Sequence, residues 1–308
     1  MFVIKIAVGL SIFVQFFVKG IKKQEEDMKA LFPLVFISTL ALIFQLGTAV
    51  EFTCHYGYRL DHGYPCQITK GLISSENDLP ASFVGTHQNG KSDNDLKLIS
   101  FSGNRHLRLD YFPRGTFETF PQLIDFSLQN CQLSNLRNGD FKGAENLKNL
   151  NLDLNKLKQL NATTFTGADK LNWLSMSGNE IEKIDKDAFS GLSKLQMLIL
   201  SQNKLHQLPQ SVFFKLVDLQ EILLNSNSFE TLSTGLFERN TKMKRIWLQN
   251  NRLNVIEPQL FEGLTNLALV NLKDNACIDE EYRQRYRETE NLQADLLAKC
   301  APGKSSVV

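Results

Sequence analysis

The chain has 308 residues, of which 43% are apolar and 22% charged, and its formal net charge is +1. That balance excludes bulk disorder, which needs low hydrophobicity and a large net charge. It also gives no sign of a nucleic-acid binder, which would need a basic stripe. The length allows two average domains or one elongated one.

The first 49 residues differ from the rest. Two apolar runs, at 1–18 and 31–46, flank the polar stretch KGIKKQEEDMKA. The second run has the form of a secretory signal. Met28 is a candidate initiator, Lys29 supplies the positive start, and Gly47 and Ala49 are small residues suited to cleavage before Val50 or Glu51. The first run carries Lys5 and is near the lower length limit for a membrane span. Three readings stay open: an upstream extension before Met28, a second apolar segment lost together with the signal, and a retained membrane anchor.

The next segment, 50–95, is expected to be an N-terminal cap. Cys54 and Cys66 lie at its start, Cys277 and Cys300 lie at the far end of the chain, and Cys131 stands alone. Two outlying pairs suggest two local disulfides, Cys54 with Cys66 and Cys277 with Cys300, formed in an oxidising compartment. His55 and His62 lie in or beside the first loop, but their spacing fits no common zinc pattern, so no metal is expected. The stretch GTHQNGKSDND, 85–95, reads as an exposed loop entering the first strand.

From Leu123 to Asn266 the chain repeats without a gap, in six units of 24 residues beginning at Leu123, Leu147, Leu171, Leu195, Leu219 and Met243. A looser unit precedes them at 96–122, and a truncated one follows from Leu267. Each reads L-x-x-L-x-L-x-x-N-x-L-x-x-L-x-x-x-x-F-x-x-L. This pattern resembles the leucine-rich repeat family in its extracellular form, over residues 96–278, or about eight repeats. The resemblance implies an α/β repeat solenoid, a horseshoe with a parallel β-sheet on its concave face and disulfide-closed caps.

One unit cannot bury its own leucines, but stacked units share a continuous core. Leu150, Leu174, Leu198, Ile222 and Ile246 should form one inward ladder, and Leu152, Met176, Leu200, Leu224 and Leu248 the next. Phe141, Phe165, Phe189, Phe213, Phe237 and Phe261 recur at one slot and should stack as a spine. Asn104, Asn155, Asn179, Asn203, Asn227, Asn251 and Asn275 follow the strand, where an amide can bond backbone groups that the turn leaves unpaired. Cys131 takes that slot in its own repeat. The family pattern admits Cys there, so a buried free thiol is expected.

Residues 279–308 read as a charged, mostly helical cap and tail. The stretch NACIDEEY resembles C-terminal caps of exported insect leucine-rich proteins, whose immune members often continue into a coiled coil. No sustained heptad follows here. No membrane span or signalling domain of the Toll-receptor kind is expected at this end.

Alternation sends the x residues beside the inward leucines to the concave face. One outward column then runs Leu98, Asp125, Asn149, Trp173, Met197, Glu221, Arg245, Leu269. The next runs Ser100, Ser127, Asn151, Ser175, Ile199, Leu223, Trp247, Asn271. A third runs Ser102, Gln129, Asp153, Ser177, Ser201, Asn225, Gln249, Lys273. Both tryptophans of the chain thus flank one apolar patch, made of Trp173, Met197, Ile199, Leu223 and Trp247, with Glu221 and Arg245 beside it. An apolar centre, a polar rim and tryptophan anchors are the composition of a protein-binding hot spot.

The functional expectation is an extracellular module that binds a protein ligand or receptor through this face, in innate immunity or cell-surface signalling. An alternative is a matrix protein, resembling small leucine-rich proteoglycans in its repeat array. Membrane contact is expected only if the N-terminal apolar segment is retained. Neither nucleic acid nor cofactor is expected. The sequon Asn161-Ala162-Thr163 falls after a strand and turn, away from the concave face, and is a glycosylation candidate. The five histidines, at 55, 62, 87, 106 and 206, are scattered, and no nucleophile-elbow, P-loop, H-E-x-x-H or paired CxxC motif occurs, so catalysis is not expected.

Overall fold

The computed structural model describes residues 51–56, 64–70, 72–73, 81–101, 108–283 and 288–303. The signal and anchor readings of residues 1–49, and the expectations for Ser102, Asn104, His62 and His106, lie outside the described residues. Among the described residues no helix is long and apolar enough to cross a membrane.

The leucine alternation produces short strands. In chain order they are β1 (Glu51–Tyr56), β2 (Tyr64–Lys70), β3 (Ser82–Val84), β4 (Leu96–Ser100), β5 (Asp125–Ser127), β6 (Asn149–Asn151), β7 (Trp173–Ser175), β8 (Met197–Ile199), β9 (Glu221–Leu223), β10 (Arg245–Trp247), β11 (Leu269–Asn271) and β12 (Glu281–Arg283). They form one sheet in the order β12-β11-β10-β9-β8-β7-β6-β5-β4-β2-β1-β3. From β4 to β11 every neighbour pairs in parallel, and from β5 onward each residue faces the one 24 positions later. This is the repeat solenoid that the spacing predicts.

Both ladders of aliphatic side chains are buried as expected, and so are five of the six spine phenylalanines, Phe261 at the far end being half-buried. Successive spine rings lie 5.3 to 6.4 Å apart from Phe141 to Phe261. The Asn slot works through hydrogen bonds that cross between repeats. Asn203 is typical: its Nδ2 donates to the carbonyls of Met176 at 2.9 Å and Leu200 at 3.1 Å, and its Oδ1 accepts from the Ile181 N–H at 3.0 Å. Asn155, Asn179, Asn227 and Asn251 repeat this scheme. Cys131 is a buried free thiol whose Sγ lies 3.5 Å from the Gln129 carbonyl. Burial pushes this thiol up to about 12, which leaves it protonated and unreactive at neutral pH.

The caps close the stack with backbone pairing as well as covalent bonds. Disulfides join Cys54 to Cys66 and Cys277 to Cys300, the two pairings expected. At the first end β1 and β2 form an antiparallel hairpin, and β2 pairs with β4 to extend the concave sheet. At the other end residues 288–300 are helical, and a strand not expected from the sequence precedes them. Glu281–Arg283 is a strand, antiparallel to β11, and only then does the chain turn into the helix Glu288–Asp295. The reason is the open edge of β11, whose backbone groups need a partner once the repeats stop.

Candidate functional site

The outward columns stand in the register that alternation implies. Trp173 faces Met197, Met197 faces Glu221, and Glu221 faces Arg245. Ser175 faces Ile199, Ile199 faces Leu223, and Leu223 faces Trp247. Neighbouring strands are spaced about 4.8 Å apart, so these side chains touch along each column. Trp173, Met197, Ile199, Leu223 and Trp247 are each half-buried, with inward neighbours such as Leu174, Leu198, Ile222 and Ile246 fully covered behind them.

Glu221 is the one charged residue of the patch that is buried. It is only 8% exposed, in the middle of the patch. Its Oε2 accepts from Arg245 Nε at 2.7 Å and from Arg245 Nη2, and its Oε1 accepts from Trp247 Nε1 at 3.0 Å. Burial pushes the Glu221 carboxyl up, but the hydrogen bonds from Arg245 and Trp247 and the Arg245 charge outweigh it. The carboxyl is held below its usual range. The hydrogen bond to Glu221 raises Arg245 in turn. The carboxylate therefore orients one indole and one guanidinium at once, while Arg245 itself remains exposed. The sequence places Glu221 beside the patch; it does not reveal that Glu221 reaches diagonally to the Trp247 N–H. A carboxylate directly beside an arginine and one diagonal from a tryptophan is the signal that could have found it.

Toward the first cap the same face is polar. Asn149 Nδ2 donates to Asp125, and Asp153 Oδ1 accepts from Ser175 Oγ at 2.5 Å and from the Ser177 N–H at 2.7 Å. Asn161 is exposed and follows the two-residue strand Gln159–Leu160, which pairs with Lys183–Ile184 outside the concave sheet.

The leucine rich repeat profile matches residues 121–181, 145–205, 178–229 and 218–276, just over half of the chain. The chain belongs to the leucine-rich repeat family. Among solved structures it is similar to the protein of the TLR13–ssRNA13 complex, at 31% identity and a TM-score of 0.55, over 60% of this chain and 26% of that one. It is also similar to a chain of the Toll–Spatzle complex, from Drosophila, at 26% identity and a TM-score of 0.49, over 59% of this chain and 28% of that one. The chain thus spans about a quarter of the length of these receptors' chains. No curated protein matches it.

Proposed function

We propose that this chain is an extracellular protein-recognition module whose contact surface is the concave patch of Trp173, Met197, Ile199, Leu223 and Trp247, framed by Glu221 and Arg245. The observation that carries this reading is the buried carboxylate of Glu221, hydrogen-bonded to Trp247 at 3.0 Å in the middle of five half-buried apolar side chains. A pre-oriented indole loses little freedom on binding, and tryptophan and arginine are the residues that most often anchor interfaces. A protein partner fits better than nucleic acid, because Asp125 and Asp153 on the same face repel phosphate. The two disulfides and the exposed sequon at Asn161 support an exported chain. The likeness to a TLR13 complex supports a recognition role of the immune or cell-surface kind.

The test compares the unaltered chain with Trp173→Ala/Trp247→Ala and with Val217→Ser, an exposed apolar residue outside the sheet. Each is used to capture proteins from extracellular fluid, which are identified by mass spectrometry. The reading predicts that the captured set survives Val217→Ser and is lost in the double variant. Survival of the same set in a folded double variant would overturn it.

A further inference from the structure

The concave face is polarised along the stack. No lysine or arginine stands in the three outward columns from Leu98 to Asn225, and Asp125 and Asp153 occupy the part next to the first cap. Their side-chain partners among the described residues are an amide, a hydroxyl and a backbone N–H, so their charge stays uncompensated on the sheet. The apolar patch follows on β7 to β10. On its far side stand Arg245 of β10, exposed but paired with Glu221, and then Lys273 and Arg283, both paired with Glu281. Asp274, Asp279 and Glu280 lie past the sheet on the loop between β11 and β12 and at its end, so the cationic part is confined to the sheet itself. The face therefore offers uncompensated carboxylates to a cation on one side of the patch and only ion-paired cations on the other.

We propose that the occupant is an extended polypeptide segment lying across the strands, with one lysine or arginine beside Asp153 and aliphatic or aromatic side chains on the patch. This rests on the concave-face reading above and adds the partner's chemistry and direction. Strand spacing of about 4.8 Å puts β8 about 10 Å, and β10 about 19 Å, from the strand that leads into Asp153. At about 3.3 Å per extended residue, the cation lies roughly three to six residues from the apolar side chains it accompanies.

The probes are end-blocked nine-residue peptides carrying a Leu-x-Leu pair. One series has a single Lys four residues from the pair, one has Ser there, one has Glu, and one has Lys on both sides. Binding to the full chain is read from tryptophan fluorescence, since both indoles of the chain lie on the patch. The single-Lys peptide is expected to bind about tenfold more tightly than the Ser peptide at low salt, with the difference shrinking as salt screens it. The Glu peptide should fall behind it, and the second Lys of the two-Lys peptide should bring no further gain. Asp153→Asn, shown to be folded by circular dichroism, should lose the preference while still binding the Ser peptide, and Asp125→Asn should reduce it less. Trp247→Ala should weaken all four. Equal binding of the Lys and Ser peptides, with Trp247→Ala still weakening both, would overturn the polarity and leave the surface standing. Binding indifferent to Trp247→Ala would overturn both. Absence of binding by every peptide would overturn the extended-segment proposal.

Discussion

Trp247 and Glu221 stand 26 residues apart in the chain and on neighbouring strands of the sheet, with the indole Nε1 donating to the carboxylate at 3.0 Å. The bond is diagonal, from one outward column to the next. It joins the largest side chain of the patch to its one buried charge, and Arg245 completes the group from the facing position.

This linkage predicts a pH-dependent patch. The Glu221 carboxyl is held below its usual range in the folded chain, so its contribution is complete above the unfolded value of about 4.3 and is lost as pH falls through the folded one. Tryptophan fluorescence should therefore shift as the pH falls below the ordinary glutamate value of about 4.3. Glu221→Gln should remove that step. Glu221→Ala, which leaves the Trp247 N–H without its acceptor, should cost about 1.5–3 kcal/mol in urea denaturation.

The amide ladder predicts a larger loss from a residue that contacts no partner. Asn203→Ala removes an acceptor for the Ile181 N–H and a donor for the carbonyls of Met176 and Leu200, all in the buried turn. Stability should fall by about 2–4 kcal/mol, measured by denaturant titration, because the backbone groups stay buried without partners. Asn203→Asp should cost at least as much, since a carboxylate cannot donate to those carbonyls.

Leu154 predicts a gain. The residue preceding each ladder position from Cys131 to Asn275 takes a left-handed backbone, with φ of 57° at Asn130, 56° at Leu154, 54° at Asn250 and 65° at Gly178. Leucine is poorly suited to that conformation, and Leu154 is 51% exposed, so little burial compensates. Leu154→Asn should stabilise the chain by about 0.5–1 kcal/mol, seen as a higher denaturation midpoint, since Asn tolerates the left-handed region. The reverse change at the equivalent glycine, Gly178→Leu, should destabilise, because an added Cβ there would sit 2.7 Å from Leu154 Cδ2.

Asn161 predicts a modification that leaves recognition alone. It is exposed and lies outside the concave sheet. Chain expressed through a secretory route should migrate as a glycoprotein that shifts on treatment with peptide N-glycosidase, and Asn161→Gln should abolish the shift. Capture by the concave face should be unchanged in that variant.

The repeat was legible because its physics is local and periodic. An apolar residue at every inward position and an amide at nearly every turn leave one way to stack, so the strand register, the phenylalanine spine and the outward columns follow from a 24-residue spacing. In the caps the disulfides, the exposed loop and the helical tail were legible, but not the strand pairing. Cysteines show in a sequence, but the pairing of β2 with β4 and of β12 with β11 answers an open sheet edge that no local pattern encodes. Within the patch the apolar members could be read from alternation alone. The reach of Glu221 to Trp247 could not, because it depends on side-chain length and on how deeply Glu221 sits. Asn240 is a similar case: it takes a slot that Leu192, Leu216 and Leu264 fill in other repeats, and it is buried by donating to the carbonyls of Phe213 and Leu216.

The most direct measurement of the concave-face claim is site-specific photocrosslinking. A benzoylphenylalanine placed at Leu223, in the centre of the patch, is compared with one at Val217, which is exposed outside the sheet. The account predicts that light joins a partner protein to the chain at position 223 and that position 217 stays unlinked. Crosslinking of the same partner from position 217 and none from position 223 would contradict it.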